Sequence, residues 1–200
     1  MISVPREAVP WCLEGCDQMW SVANDAERAQ WNFVPFVTVG PLRFGMSVEE
    51  VATVMGAQGF TSTHSSMSRP HGALVQQAGF RSKDARRYEE AVTAYVGKSG
   101  DLAAVAVDAL CGPQVSLDGL RLVGRVPSEL AEQLQGYSEE RGMVPTVSVE
   151  GDAVSDELGL LVRAQRAGDI LLSRAFFVAN FQDWAYTVHD CVPADEWDIR

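Results

Sequence analysis

A chain of 200 residues with 46% hydrophobic and 22% charged content is long enough to bury a core, as one domain or as two small ones in contact. Its net charge of −11 excludes the basic face that a phosphate backbone requires, so no nucleic-acid partner is expected. No apolar run reaches the roughly 18 residues of a membrane span, so no membrane partner is expected either.

The amino terminus, MISVPREAVPWCLEGC, carries Arg6, Glu7 and Pro10 where a secretory peptide needs uninterrupted apolar residues, and a cytoplasmic location is expected. Residues 1–35 read as an N-terminal helical extension. Cys12, Cys16, Met19, Trp20 and Ala23 fall on one helical face, and Trp11, Trp20 and Trp31 are expected to be buried by laying that helix across the domain. The four cysteines, with Cys111 and Cys191, are too scattered for a disulfide scaffold. His64 and His71 do not stand in zinc spacing to Cys12 and Cys16, so no metal is expected.

Residues 40 to 51, GPLRFGMSVEEV, share a skeleton with residues 119 to 130, GLRLVGRVPSEL. At an offset of 79, Gly40, Gly45 and Glu50 fall on Gly119, Gly124 and Glu129. At an offset of 68, Gly100-Asp101-Leu102 falls on Gly168-Asp169-Ile170. The simplest account is a duplicated unit, 36–112 and 113–200, with an insertion in the first copy. In each copy a short apolar segment, Phe36 to Phe44 or Val115 to Val123, enters a helix. The first helix begins with a Ser47/Glu50 capping box and the second with Pro127 in its first turn. Gly45 and Gly124 then permit the bend into the helix. The alternative, a phosphate cradle, would need the pattern GxxxxGK[ST] or GxGxxG, which GPLRFGMS does not match, and no cofactor is expected.

After the first helix, AQGFTSTHSSMSRPHG has the polar composition of a loop. GALVQQAGF, RYEEAVTAYVG and DLAAVAVDAL then read as strands, the last two joined as a hairpin at Gly100. The second copy offers VPTVSVEG, LGLLVRAQ and DILLSRAFFVAN, with a hairpin at Gly168. The expected class is α+β: two tandem helix-plus-antiparallel-sheet units with an N-terminal helical extension.

The segment GPLRFGMSVEEVATVMG resembles the helix-start signature of outer-membrane assembly lipoproteins of the SmpA/OmlA type, in which such a helix packs on a short antiparallel sheet. The tandem layout is similar to that of the β-lactamase inhibitory protein family. The resemblance covers about seventeen of the 200 residues and bears on fold. The chain departs from both families, with no lipid-attachment cysteine behind a signal sequence and no paired cysteines within each unit. For function, the resemblance implies only that such sheets serve as surfaces for gripping other proteins.

No GxSxG elbow, HExxH helix, kinase set or paired CxxC is present. The nearest thing to a catalytic cluster is His189-Asp190-Cys191. On a strand His189 and Cys191 would share a face, giving an alternative reading as a nucleophile pair serving a small-molecule site between the two units. The inserted stretch gathers Arg69, Arg81, Lys83, Arg86 and Arg87, a local reversal of sign on an acidic protein, as a solvated loop or as loop contacts to an anionic patch. Residues 137 to 200 hold twelve acids against five arginines. The leading expectation is therefore a noncatalytic interaction protein with a basic protein partner, such as an immunity protein or inhibitor of a basic toxin or enzyme. Tyr186, Trp184 and Trp197 are the expected anchors, with Asp183, Asp195, Glu196 and Asp198 as rim charges.

Overall fold

In QWNFV the side chains alternate between solvent and interior, so Gln30–Val34 is a strand, β1. The helical extension expected over residues 1–35 is corrected at this end. Trp31 is nevertheless buried, 5% exposed, with its ring 6.0 Å from that of Phe60. The computed structural model describes residues 21–68, 75–84, 90–97, 99–148 and 150–179 and positions 188, 192, 193 and 196. Trp11, Trp20, Cys12 and Cys16 lie outside the described residues.

Each apolar segment ahead of a helix is itself a tight hairpin. Thr38–Val39 (β2) pairs antiparallel with Leu42–Arg43 (β3) across Gly40-Pro41. The chain then enters Val48–Ala57 (α1) behind the expected capping box. Glu50 N–H donates to Ser47 Oγ at 3.3 Å, and Ser47 N–H donates to the Glu50 carboxylate at 2.8 Å. Accepting from the Ser47 backbone, then from its side chain, holds the Glu50 carboxyl below its ordinary value. A depressed carboxyl stabilises the fold above its unfolded value and loses that contribution as pH falls through the folded one. Ser47→Ala, which removes the N-cap acceptor of Glu50 N–H, is expected to lower the urea midpoint near neutral pH. The loss in the variant should shrink in acid as Glu50 protonates.

Four antiparallel strands follow: Phe60–Ser68 (β4), Val75–Ser82 (β5), Val92–Val96 (β6) and Leu102–Val107 (β7). Strand β4 occupies the stretch expected to be a loop. Its serines and threonines tolerate the extended backbone because β4 is an edge strand that satisfies only one neighbour, with an irregularity between Ser62 and Ser65. The second hairpin, Gln114–Leu117 (β8) with Leu120–Arg121 (β9), turns through Asp118 and Gly119. Both have positive φ, 47° and 88°, as a type I′ turn requires. Pro127–Glu140 (α2) opens on Pro127 in its first turn, as the sequence predicts; its N-cap, Val126, makes no side-chain cap bond, and the helix buries Leu130, Leu134 and Ser138. Gly45 and Gly124, ahead of the two helices, take φ of 85° and 68°.

A second set of four strands follows α2: Thr146–Val147 (β10), Ala153–Ser155 (β11), Leu160–Ala167 (β12) and Ile170–Val178 (β13). The three-residue β11 had no counterpart in the sequence reading. All eight of these longer-range strands form one antiparallel sheet in the order β10-β11-β12-β13-β7-β6-β5-β4. A smaller sheet runs β3-β2-β1-β8-β9, with β1 parallel to β8. The class is α+β.

The main core lies between one face of the large sheet and the layer of α1, α2 and the small sheet. Phe33, Leu42, Met55, Phe80, Leu130 and Phe177 all belong to it. Arg28 ties the entering chain to this body: its guanidinium donates to the carbonyls of Gly112 at 2.6 Å and Ala109 at 2.8 Å. Burial pushes Arg28 below its ordinary value, against the opposing pull of Asp25 and Asp108.

Candidate functional site

On the opposite face of the large sheet, alternation brings Tyr95, Ala104, Ala106, Leu161 and Phe176 together, with Val188 and Val192 packed against them. Charged residues continue this face. Arg174 on β13 donates from Nε and Nη2 to the two carboxylate oxygens of Glu196, at 2.6 and 2.8 Å, and Tyr95 O–H donates to the same group at 2.6 Å. Arg174 also meets Asp108 at 3.4 Å, and Asp108 accepts from Gln165 Nε2 at 2.6 Å and from the backbone N–H of Leu110 and Cys111. Arg163 bonds to the Glu196 carbonyl and, at 3.1 Å, to Asp152. Glu196, Arg174 and Asp108 are each at most 5% exposed.

Burial alone would push the Arg174 guanidinium down, but the Glu196 charge and hydrogen bonds, helped by Asp108, more than reverse this and raise it. This constellation is a clamp. Among the described residues, Glu196, Asp108 and Asp152 each accept charge-assisted bonds from an arginine. The clamp fixes the Glu196 end of the chain to β6, β7, β12 and β13.

Of the residues singled out from the sequence, Glu196 is therefore corrected from an exposed rim charge to a buried partner of two arginines. Its fellow candidates Tyr186, Trp184, Trp197, Asp183, Asp195 and Asp198 lie outside the described residues, as do His189 and Cys191. Arg69, Arg86 and Arg87 also lie outside them. Arg81 stands within β5, half-buried and registered against Thr61, and Lys83 follows directly, its N–H donating to the Gly59 carbonyl at 2.9 Å. Arg81 is thus the last residue but one of β5, and Lys83 lies just past its end. Among the described residues no group of three His, Cys, Asp or Glu is arranged to hold a metal ion, and no helix is long and apolar enough to cross a membrane.

A different surface gathers the features of a binding face. The exposed large apolar residues lie mainly at three places: Val34, Phe36 and Val37; Ile170 and Leu171; and Val144 and Val147. Val147 borders a notch of about 140 Å³ between α2 and the β10–β11 hairpin. Residues 126 to 162, which carry these elements, hold eight acids and one base, Arg141. Arg141 is itself engaged, stacked 3.6 Å over the Tyr137 ring and 3.3 Å from Asp118.

Strand β10 is the other edge of the large sheet. Ser148 N–H donates to Asp152 C=O across the hairpin, so by alternation the backbone N–H and C=O of the preceding Val147 face away from β11. The acidic bias was legible in the sequence. Its placement on α2 and β10–β11 was not, because it depends on how the hairpin packs against the helix.

A larger cavity of about 650 Å³ lies at the other end of the fold, walled by residues 21–23, 27–29, 58–60, 82, 84 and 110–113, Cys111 among them. Comparison with family models, characterised proteins and solved structures finds no match to this chain.

Proposed function

We propose that the protein is a noncatalytic protein–protein interaction module that engages a basic protein partner, in its most concrete form as an inhibitor or immunity protein for a basic toxin or enzyme. The observation that carries this reading is the α2–β10–β11 face. There an apolar notch and two exposed valines, Val147 on the open edge strand β10 and Val144 just ahead of it, at 66% and 71% exposure, sit within a stretch of eight acids and one base. Acidic charge speeds encounter with a basic partner, and exposed apolar residues beside a cavity supply contact area.

The architecture is read with it as two tandem helix-plus-sheet units. In support, each half runs hairpin, helix, four antiparallel strands, and the halves meet where β7 pairs antiparallel with β13. This is the layout that the resemblance to the β-lactamase inhibitory protein family implies.

The test is affinity capture by the full chain and by a variant carrying Glu132→Lys, Glu139→Lys and Glu150→Lys, each at low and at high salt. A basic protein retained by the native chain should bind the variant at least about tenfold more weakly, with the native interaction weakening as salt rises. Equal retention by both chains would sink the reading.

A further inference from the structure

We propose that the notch between α2 and the β10–β11 hairpin is the docking pocket for a single lysine side chain presented by the partner, an assignment that rests on the reading of the protein as a partner-binding module. Size comes first. At about 140 Å³ the notch falls well below the roughly 300–1,000 Å³ of pockets that enclose small molecules, and it suits one side chain.

Its lining comes second. Ala131 and Leu134 of α2 face Ala153 and Leu160 of the sheet, walls that favour an aliphatic stem. Among them stands Ser155, 7% exposed, and its Oγ has no hydrogen-bond partner. Buried hydroxyls nearly always have one, so an orphaned oxygen on the wall of a notch points to a donor supplied from outside. Alternation along β11 places Ser155 with Ala153 on the side facing α2, where Ser138 also lines the notch.

Charge decides between donors. Glu132 is exposed at the lining, and the surrounding stretch is acidic, so an anionic tip is repelled and a neutral one forgoes the attraction. A guanidinium would bring five N–H donors to a wall offering one orphan oxygen, whereas an ammonium is a compact charge with three. The outward N–H and C=O of Val147 supply backbone anchors for the extended segment that carries the lysine.

The experiment is an NMR titration of the full, isotopically labelled chain with acetyl-Val-Lys-Val-amide and with its norleucine counterpart, which keeps the stem and lacks the ammonium. The lysine peptide should move the resonances of Ser155, Ser138 and Leu134, and the norleucine peptide should bind about tenfold more weakly or less, as loss of a charged hydrogen bond implies. Ser155→Ala should weaken the lysine peptide by about tenfold while leaving the thermal midpoint unchanged or raised, since the hydroxyl it removes has no partner. Ala131→Phe, which fills the notch, should abolish the shifts at Ser155.

Equal binding of the two peptides, shifts spread over the acidic surface without Ser155, or no shifts at all would each overturn the assignment. Should that happen while capture of a basic protein still depends on Glu132, Glu139 and Glu150, the lysine pocket falls and the partner-binding reading stands.

Discussion

Replacing Glu196 by alanine is expected to destabilise the protein by about 3–5 kcal/mol, because it leaves a buried cation without its principal counter-charge. Arg174 is 5% exposed and spends two of its donors on the Glu196 carboxylate, at 2.6 and 2.8 Å; what remains to it is Asp108 at 3.4 Å. Tyr95 O–H loses its acceptor in the same step. Arg163 is affected less, since it bonds to the Glu196 main-chain carbonyl and keeps Asp152.

The size of the loss reports on breaking the pair and not on the worth of having it. The double variant Glu196→Leu/Arg174→Met, which removes both charges and keeps apolar volume, should therefore return to within about 1–2 kcal/mol of the native chain. Urea denaturation of the three chains measures this directly. Arg174 itself adds no pH dependence to the comparison: its guanidinium is raised in the fold, so its contribution is present below its already high unfolded value and persists throughout the working range. A single-variant cost below about 1 kcal/mol would mean that the pair is screened by water as a surface pair is, and that Glu196 is a rim charge after all.

That reversal shows where sequence reading stops. The capping box of α1, Pro127 at the start of α2 and the hairpins at Gly100 and Gly168 were all legible, because each is decided by residues within a few positions of one another. Strand β4 was not. Its run of serines and threonines has loop composition, and only pairing with β5 makes it a strand. Trp31 was correctly expected to be buried, but on a helix. The two-residue alternation that places it in β1 spans only Gln30–Val34, too short to outweigh the helical pattern read upstream.

The charges were harder still. A count of acids near the end of the chain cannot distinguish Glu196, whose partners lie 22 and 101 residues away in sequence, from an exposed acid. The notch at Ser155 is invisible for the same reason. Its walls come from α2, β11 and β12, and the missing hydrogen bond that marks it is a property of the packed structure.

The sharpest expected contrast lies between two glycines that the sequence pattern aligns. Gly40→Ala should destabilise by about 2–5 kcal/mol, and Gly119→Ala by about 1–2 kcal/mol. Both have positive φ, 57° and 88°, so an added side chain meets the same left-handed backbone penalty at each. Their surroundings differ. At Gly119 a Cβ would meet nothing within 4 Å, whereas at Gly40 it would fall 2.4 Å from Cγ and Cδ2 of Trp31 and 2.8 Å from its Cβ.

The indole cannot simply swing aside. Trp31 lies in β1 within the main core, against Phe60, and its own backbone pairs in parallel with Val115 of β8. Gly40 N–H also donates to the Asn32 carbonyl at 2.7 Å, which locks the hairpin turn over the ring. The two glycines do not occupy equivalent turn positions either. Gly40 precedes Pro41 as the first central residue of its turn, while Gly119 follows Asp118 as the second of its own, and the flanking pairs Val39 with Leu42 and Leu117 with Leu120 are related by 78 residues instead of 79.

Denaturation midpoints of the two alanine variants, read side by side, separate packing from backbone preference. A large loss at Gly40 alone makes it the glycine required by close approach to Trp31. Equal losses would mean that φ decides both, and that the indole yields more readily than its burial implies.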